Sequence, residues 1–230
     1  MSTAHPSRPL VDVWSIELAC AAASERRLSA ALSRDERARA DRFVMSADRL
    51  RYRVAHGALR TILGGCTGAD PAQLRFAHGE HGKPLLAGGP HFSLSHSVDV
   101  ALVAVSRECE VGVDVEQVRP VADAGELARR YLAAVPARRI ADAPDAERDR
   151  RFIAAWTAIE AILKVEGTGL AGADRLLVLR DIDEDLVRAT IAGREDSPAW
   201  TVRRLAPAAG HLAAVAVRAA DFALRTHRFA

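Results

Sequence analysis

Residues 10–18, LVDVWSIEL, alternate apolar and polar side chains with β-branched members among them, which predicts a strand. The apolar spacing then lengthens to a helical period over Ser24–Leu32 and Arg34–Phe43. Asp48 is a fitting N-cap for a longer helix through Arg60, closed by Gly64-Gly65. Strand spacing returns at 74–77, 91–95 and 100–105, separated by the turn chemistry of Gly79, Gly82, Pro84, Gly88, Gly89 and Pro90. The second half opens on VGVDVE, another strand, followed by helical spacing over Asp123–Leu132 and a short Pro/Ala/Arg connection. After Pro144-Asp145 a long helix is expected over about 147–166, closed by Gly167 and Gly169. Further strands are expected at 175–180, 186–192, 199–205 and 212–217. Each half therefore reads as a strand, two or three helices and then several strands. The expected class is α+β, a pseudo-duplicated chain with lobes 1–108 and 109–230 packed as one body.

Composition narrows the setting. The chain has 230 residues, 49% hydrophobic and 27% charged, which is ordinary for a globular protein and argues against disorder. A net charge of +2 gives no overall attraction to nucleic acid or to a membrane surface, so neither partner is expected. No apolar run approaches the roughly 20 residues that span a bilayer, and the first residues do not read as a secretion leader. Cys20, Cys66 and Cys109 are far apart and odd in number, which suits buried thiols in a reducing, cytoplasmic setting. Of the 32 basic residues only Lys83 and Lys164 are lysine. Where arginine fills generic cationic positions, a retained lysine points to a need for a compact ammonium.

Three segments carry candidate chemistry. In VGVDVEQVRP (111–120), Val111, Val113 and Val115 share one strand face, and Gly112, Asp114 and Glu116 the other. Two carboxylates two residues apart lie ~7 Å apart at Cα, and their oxygens can converge on one hard cation, the glycine leaving room for a close approach. The bland reading is an edge strand with a solvated acidic face. In FIAAWTAIEAILKVEGTGL (152–170), Phe152, Trp156, Ile159 and Leu163 form an apolar stripe, while Glu160 and Lys164 stand four apart on another. That pair is either a surface ion pair or a third metal carboxylate beside a phosphate-binding ammonium. In HGKPLLAGGPHFSLSHS (81–97), Lys83 lies in a turn, and Ser95 and His96 end a strand. Adjacent strand residues face opposite ways, so Ser95 and His96 are not a nucleophile and its base; they suit phosphate oxygens better.

Taken in order, GKP (82–84), FSLSHS (92–97), GVDVE (112–116) and WTAIEAILK (156–164) resemble the motifs of the 4′-phosphopantetheinyl transferases, in particular the large two-lobed surfactin-type class, over residues about 36–170. The resemblance implies two α+β lobes, each ending in several antiparallel strands, with coenzyme A in the cleft between them. It implies magnesium-dependent transfer of the phosphopantetheine arm from coenzyme A to a serine of an apo acyl or peptidyl carrier protein, releasing adenosine 3′,5′-bisphosphate. Asp114, Glu116 and Glu160 match the magnesium ligands, and Lys164 the lysine near the pyrophosphate. Ser95 and His96 match coenzyme A positions, His96 near the 3′-phosphate, and Lys83 matches a contact near the adenosine end. Arg39 and Arg51 align with the basic region around the 3′-phosphate, where Arg42, Arg49 and Arg53 are neighbours.

Two positions depart from the family pattern. Ile159 stands where a lysine is usual before the glutamate, and the run YLAAVPARR puts Pro136 near the place of a second-lobe glutamate sometimes invoked as proton acceptor. The serine proton is then assigned to Glu160 or a metal-bound water, with His96 the weaker catalytic candidate. Exposed basic residues of the second lobe, Arg119, Arg129, Arg130, Arg138 and Arg139, are candidates to meet an acidic carrier, and a monomer is expected. Two alternatives stand beside this reading: a non-catalytic carrier-binding homologue, and another metal-dependent phosphoryl-transfer enzyme.

Overall fold

The structure is a computed structural model that describes residues 8–20, 22–169, 177–180, 185–191 and 200–230. Positions 175, 176, 192 and 199 of the expected strands lie outside the described residues. Strand β1 (Leu10–Glu17) leads to α1 (Ala22–Ala30), α2 (Arg34–Ala40) and α3 (Ser46–Thr67). A short hairpin, β2 (Phe76–His78) and β3 (Pro84–Leu86), precedes β4 (His91–Ser97) and β5 (Val100–Ser106). The second half runs β6 (Val111–Gln117), α4 (Ala124–Tyr131), α5 (Ala134–Ala141), α6 (Asp145–Glu166), β7 (Leu177–Arg180), β8 (Leu186–Ile191), β9 (Trp200–Leu205), β10 (His211–Val217) and β11 (Ala223–Arg228). The α+β class holds. No described helix is long and apolar enough to cross a membrane.

The strands form two main sheets, in the orders β11-β1-β5-β4 and β6-β10-β9-β8-β7. Strand alternation sorts their side chains into three apolar layers. Val11 and Val13 of the first sheet pack with Val111, Val113, Val115 and Val215 of the second. The other face of the first sheet packs Phe92 and Val103 against Val54, Ala58 and Leu59 of α3. The other face of the second packs Val202, Ala214 and Ala216 against Ala158, Ile159 and Ile162 of α6. The result is a helix–sheet–sheet–helix stack, as expected when each element buries one apolar face.

Several boundaries differ from expectation. Helix α3 begins at Ser46 and runs past Gly64-Gly65 to Thr67; Met45 is its N-cap without a side-chain bond, and the left-handed Gly68 (φ 75°) ends it. Gly64 and Gly65 are accommodated because the helix is held by its buried face, which outweighs their weak intrinsic cost. The Pro/Ala/Arg connection is itself α5: Pro136 is its third residue, where backbone N–H groups have no partner in the helix and the missing donor costs nothing. Helix α6 ends as expected at Gly167 (φ 68°). The last strand, β11, was absent from the sequence reading; it pairs parallel to β1, Leu10 opposite Ala223, so the chain's end returns to the first sheet across the expected boundary at residue 108. The three cysteines are free and part-buried rather than enclosed, and burial raises each thiol's pKa.

The contact that sets the site is β6 against α6. A Cβ on Gly112 would come within 2.0 Å of the Ala161 carbonyl oxygen and 2.8 Å of the Val165 nitrogen, so the space this glycine leaves is filled by the helix backbone, not by a ligand. Gly112→Ala is expected to cost about 3 kcal/mol, the upper end of overpacking penalties, because the clash is with backbone. Urea unfolding checks this; a loss under about 0.5 kcal/mol would show that α6 can move away freely.

Candidate active site

The β6 strand is the edge of its sheet, and its outward N–H groups need acceptors. Strand β4 supplies two of them through side chains. Ser93, Ser95 and Ser97 recur at every second position and so share one face. Ser93 Oγ accepts from the Val113 N–H and Ser97 Oγ from the Gln117 N–H, each at 3.1 Å. The middle hydroxyl, Ser95, donates to Asp114 Oδ1 at 2.7 Å.

Asp114 is almost enclosed, with 4% exposure, so the solvated-edge reading does not hold. Lys164 reaches it from α6: Nζ donates to Asp114 Oδ1 at 2.7 Å, to Ser95 Oγ at 2.9 Å and to the Val113 carbonyl at 3.1 Å. These three partners use all three ammonium hydrogens. Lys164 therefore bonds Asp114 rather than its helix neighbour Glu160, and the surface ion-pair reading of Glu160 and Lys164 gives way to a bond between elements. Asp114 Oδ2 is buried with no hydrogen-bond partner among the described residues.

The other two acids border this pair. Glu116 is half-buried and accepts from Ser97 Oγ at 2.9 Å. Glu160 is half-buried and makes no hydrogen bond or ion pair among the described residues. Burial raises the pKa of both; Asp114 pushes Glu116 up further against the pull of its Ser97 bond, and Asp114 and Glu116 push Glu160 up against Lys164. Among the described residues no three histidine, cysteine or acidic side chains are already gathered as a closed ligand cluster. The donor set nonetheless fits a hard divalent cation: it consists of carboxylates that repel one another, and one buried oxygen is left without a partner.

His96 lies on the opposite face of β4 from Ser95, as strand alternation requires, and is exposed. Partial burial of its ring, then the Lys164 and Arg51 charges, lower its pKa. Arg51 is held by Asp99 and Asp48, each at 3.1 Å. Lys83 forms an ion pair with Glu110 and donates to the Val165 carbonyl at 3.2 Å, where a cation suits the end of α6. Ile159 is 2% exposed, so the family's usual lysine position is a core position in this chain.

A cavity of about 450 Å³ opens on the α3 side of the first sheet, lined by Arg39, Arg42, Tyr52, His56, Arg60 and His78, with Gly82 and Pro84 at its edge. The Arg39 guanidinium lies 5.6 Å from the Tyr52 ring centre, and Tyr52 stacks on His56 at 4.0 Å. Tyr52 and His56 were missed in the sequence; they are four apart on α3, but a Tyr/His pair at that spacing is common and carries no motif. A second cavity, of about 400 Å³, lies on the α6 side and is lined by Arg139, Arg150, Arg151, Arg204 and Leu212, with Glu147 and Asp185. Leu212 stands directly opposite Glu116 across the β10–β6 ladder. Arg119, Arg129, Arg130 and Arg138 are exposed as expected.

Comparison with known proteins places the chain in a family of transferases. The model of the 4′-phosphopantetheinyl transferase superfamily matches residues 110–216, from the start of β6 through most of β10. The chain is 36% identical over 212 residues to 4′-phosphopantetheinyl transferase HetI of Nostoc sp., covering 90% of this chain and 87% of that one. It is 31% identical over 153 residues to a 4′-phosphopantetheinyl transferase of Bacillus subtilis, 65% and 66% of the two chains. Against 4′-phosphopantetheinyl transferase Sfp of Bacillus subtilis it is 26% identical over 147 residues, 63% and 64%. The chain belongs to the 4′-phosphopantetheinyl transferase superfamily, whose members transfer phosphopantetheine to carrier proteins.

His56 gives this cavity a signature in pH. Burial, ahead of the neighbouring Arg39, His96 and Arg60 charges, lowers its pKa to about 4, with Glu36 opposing. The unfolded chain binds the proton near pH 6.5 and the folded chain only near 4, so stability is full above pH 6.5 and falls as the pH drops toward 4. The loss is at most about 3 to 4 kcal/mol. Urea melts of His56→Phe, which keeps the stack on Tyr52, are expected to show a shallower decline over that window; an unchanged slope would remove His56 as its source.

Proposed function

We propose that the chain transfers 4′-phosphopantetheine from coenzyme A to a serine hydroxyl of an acyl or peptidyl carrier protein, releasing adenosine 3′,5′-bisphosphate. The observation that carries this reading is the buried Asp114, bonded at one oxygen by Lys164 and Ser95 and left without a partner at the other. Asp114, Glu116 and Glu160 are the residues that would hold magnesium, which when bound supplies positive charge to a pyrophosphate. The carrier serine Oγ bonds to the β-phosphorus of coenzyme A while the bond from that phosphorus to the bridging oxygen breaks, and the bisphosphate leaves with the bridging oxygen. Glu160 is the residue assigned to accept the serine proton, since its carboxylate makes no hydrogen bond or ion pair among the described residues. Lys164 is a fixed ammonium beside the reacting phosphates and offsets charge as it moves onto the leaving group. His96, exposed on the face of β4 opposite Ser95, is the ring that would meet the 3′-phosphate. Arg39 and Arg51, with Tyr52, suit the adenosine 3′-phosphate end of coenzyme A, and Lys83 holds the loop beside it.

The arginine-lined cavity next to Glu116 supports a docking face for an acidic carrier. Arg150 in that face is exposed and makes no ion pair among the described residues.

Incubation with coenzyme A, magnesium and an apo carrier domain, followed by intact mass, is expected to add one phosphopantetheine arm to the carrier. Asp114→Ala is expected to abolish the added mass. Labelling that persists in this variant would exclude Asp114 from the metal set, and carrier binding without labelling by the wild type would favour the non-catalytic alternative. Separately, Arg150→Glu should raise the KM for carrier about 5- to 10-fold, equivalent to about 1 kcal/mol, with the KM for coenzyme A unchanged. Equal effects on both would move the docking face elsewhere.

A further inference from the structure

Ser97 closes β4, and its hydroxyl is engaged twice by β6. It accepts the Gln117 N–H at 3.1 Å and donates to Glu116 Oε2 at 2.9 Å. A hydroxyl has one hydrogen, and with its acceptor side turned to Gln117 that hydrogen is directed at the carboxylate. The next residue, Val98, has φ 52°, a left-handed conformation that a β-branched side chain rarely takes. Such strain persists only where the surroundings over-determine it. Here they do: the Asp99 carbonyl accepts the Leu18 N–H at 2.8 Å, and Asp99 Oδ1 takes Nε and Nη2 of Arg51. The turn is therefore pinned by Leu18 just after β1, by α3 and by β6 at once, and Ser97 is fixed at its edge.

We propose that Ser97 is a positioning residue for Glu116, holding Oε2 so that Oε1 stays turned to a divalent cation shared with Asp114. The proposal rests on the reading of Asp114, Glu116 and Glu160 as magnesium carboxylates. Glu116 is half-buried beside the like charge of Asp114; Arg119 and Lys164 attract it through space, and the Ser97 bond is its one side-chain hydrogen bond among the described residues. A direct hydrogen bond to a ligating carboxylate orients it and sharpens affinity.

The test uses the full chain without coenzyme A and reads Mn²⁺ binding from the electron paramagnetic resonance signal of the free ion. Wild type, Ser97→Ala, Ser97→Thr and Asp114→Ala are compared, with thermal melts as a check on folding. Ser97→Ala is expected to weaken Mn²⁺ binding about tenfold with its melting temperature within about 2 °C of wild type, and Ser97→Thr, which keeps the hydroxyl, to restore affinity to within about twofold. Unchanged affinity in Ser97→Ala with affinity lost in Asp114→Ala would overturn the role of Ser97 and leave the metal reading standing. Wild-type affinity in Asp114→Ala, or no Mn²⁺ binding by the wild type, would overturn the metal reading and the proposal with it.

Discussion

A carboxylate placed where water cannot reach it must be given partners by the fold, because an unpaired buried charge costs several kcal/mol. Asp114 is in that position, at 4% exposure, and its partners come from two other elements: Ser95 from β4 and Lys164 from α6. Neither partner is near it in the chain, so the charge is satisfied only when both sheets and the helix are docked together. Gly112, two residues earlier on the same face, allows that docking, since any larger residue would hold α6 off the strand and carry Lys164 with it. The site and the fold's central packing are thus one constraint.

The joint between the sheets follows from the same economy. β4 and β6 are neighbours without forming a ladder; Ser93 and Ser97, four apart, meet the N–H groups of Val113 and Gln117, also four apart. The two strands therefore run in the same direction and in step. Bridging through side-chain hydroxyls sets them farther apart than the roughly 4.8 Å of direct pairing. Ser95, the middle hydroxyl of this seam, is thereby left to bond Asp114 Oδ1 and Lys164 Nζ.

What the sequence made legible is what local periodicity encodes. The alternation of VGVDVE sorts Val111, Val113 and Val115 into the inter-sheet core and Asp114 and Glu116 onto the helix side, as strand geometry demands. The stripe of Phe152, Ile159 and Leu163 is buried, and alternation alone separated Ser95 from His96. What was not legible depends on distance. β11 lies over 200 positions from its partner β1, and no spacing rule links them. Helix spacing offered Glu160 as the partner of Lys164, but a buried carboxylate in range outbids a half-exposed one, because burial strengthens the pairing of charges. α5 was hidden by Pro136, whose usual meaning as a breaker does not apply in a helix's first turn.

Charge balance ties the candidate site to the proposed chemistry. Asp114, Glu116 and Glu160 bring three negative charges when ionised, and Lys164 returns one, which leaves −2, the complement of one divalent cation. Crowding and burial raise the pKa of Glu116 and Glu160. Lys164 commits all three of its donors to the Val113 carbonyl, Ser95 Oγ and Asp114 Oδ1. On the proposed reading, a phosphate oxygen reaches that ammonium only by replacing one of those three bonds. Asp114 is the bond to give up, because a cation can take over its charge, whereas Ser95 and the Val113 carbonyl have no other claim on the ammonium's place. The −2 balance holds the cation on its own, and a pyrophosphate adds to that hold by taking the place that Asp114 leaves on the ammonium.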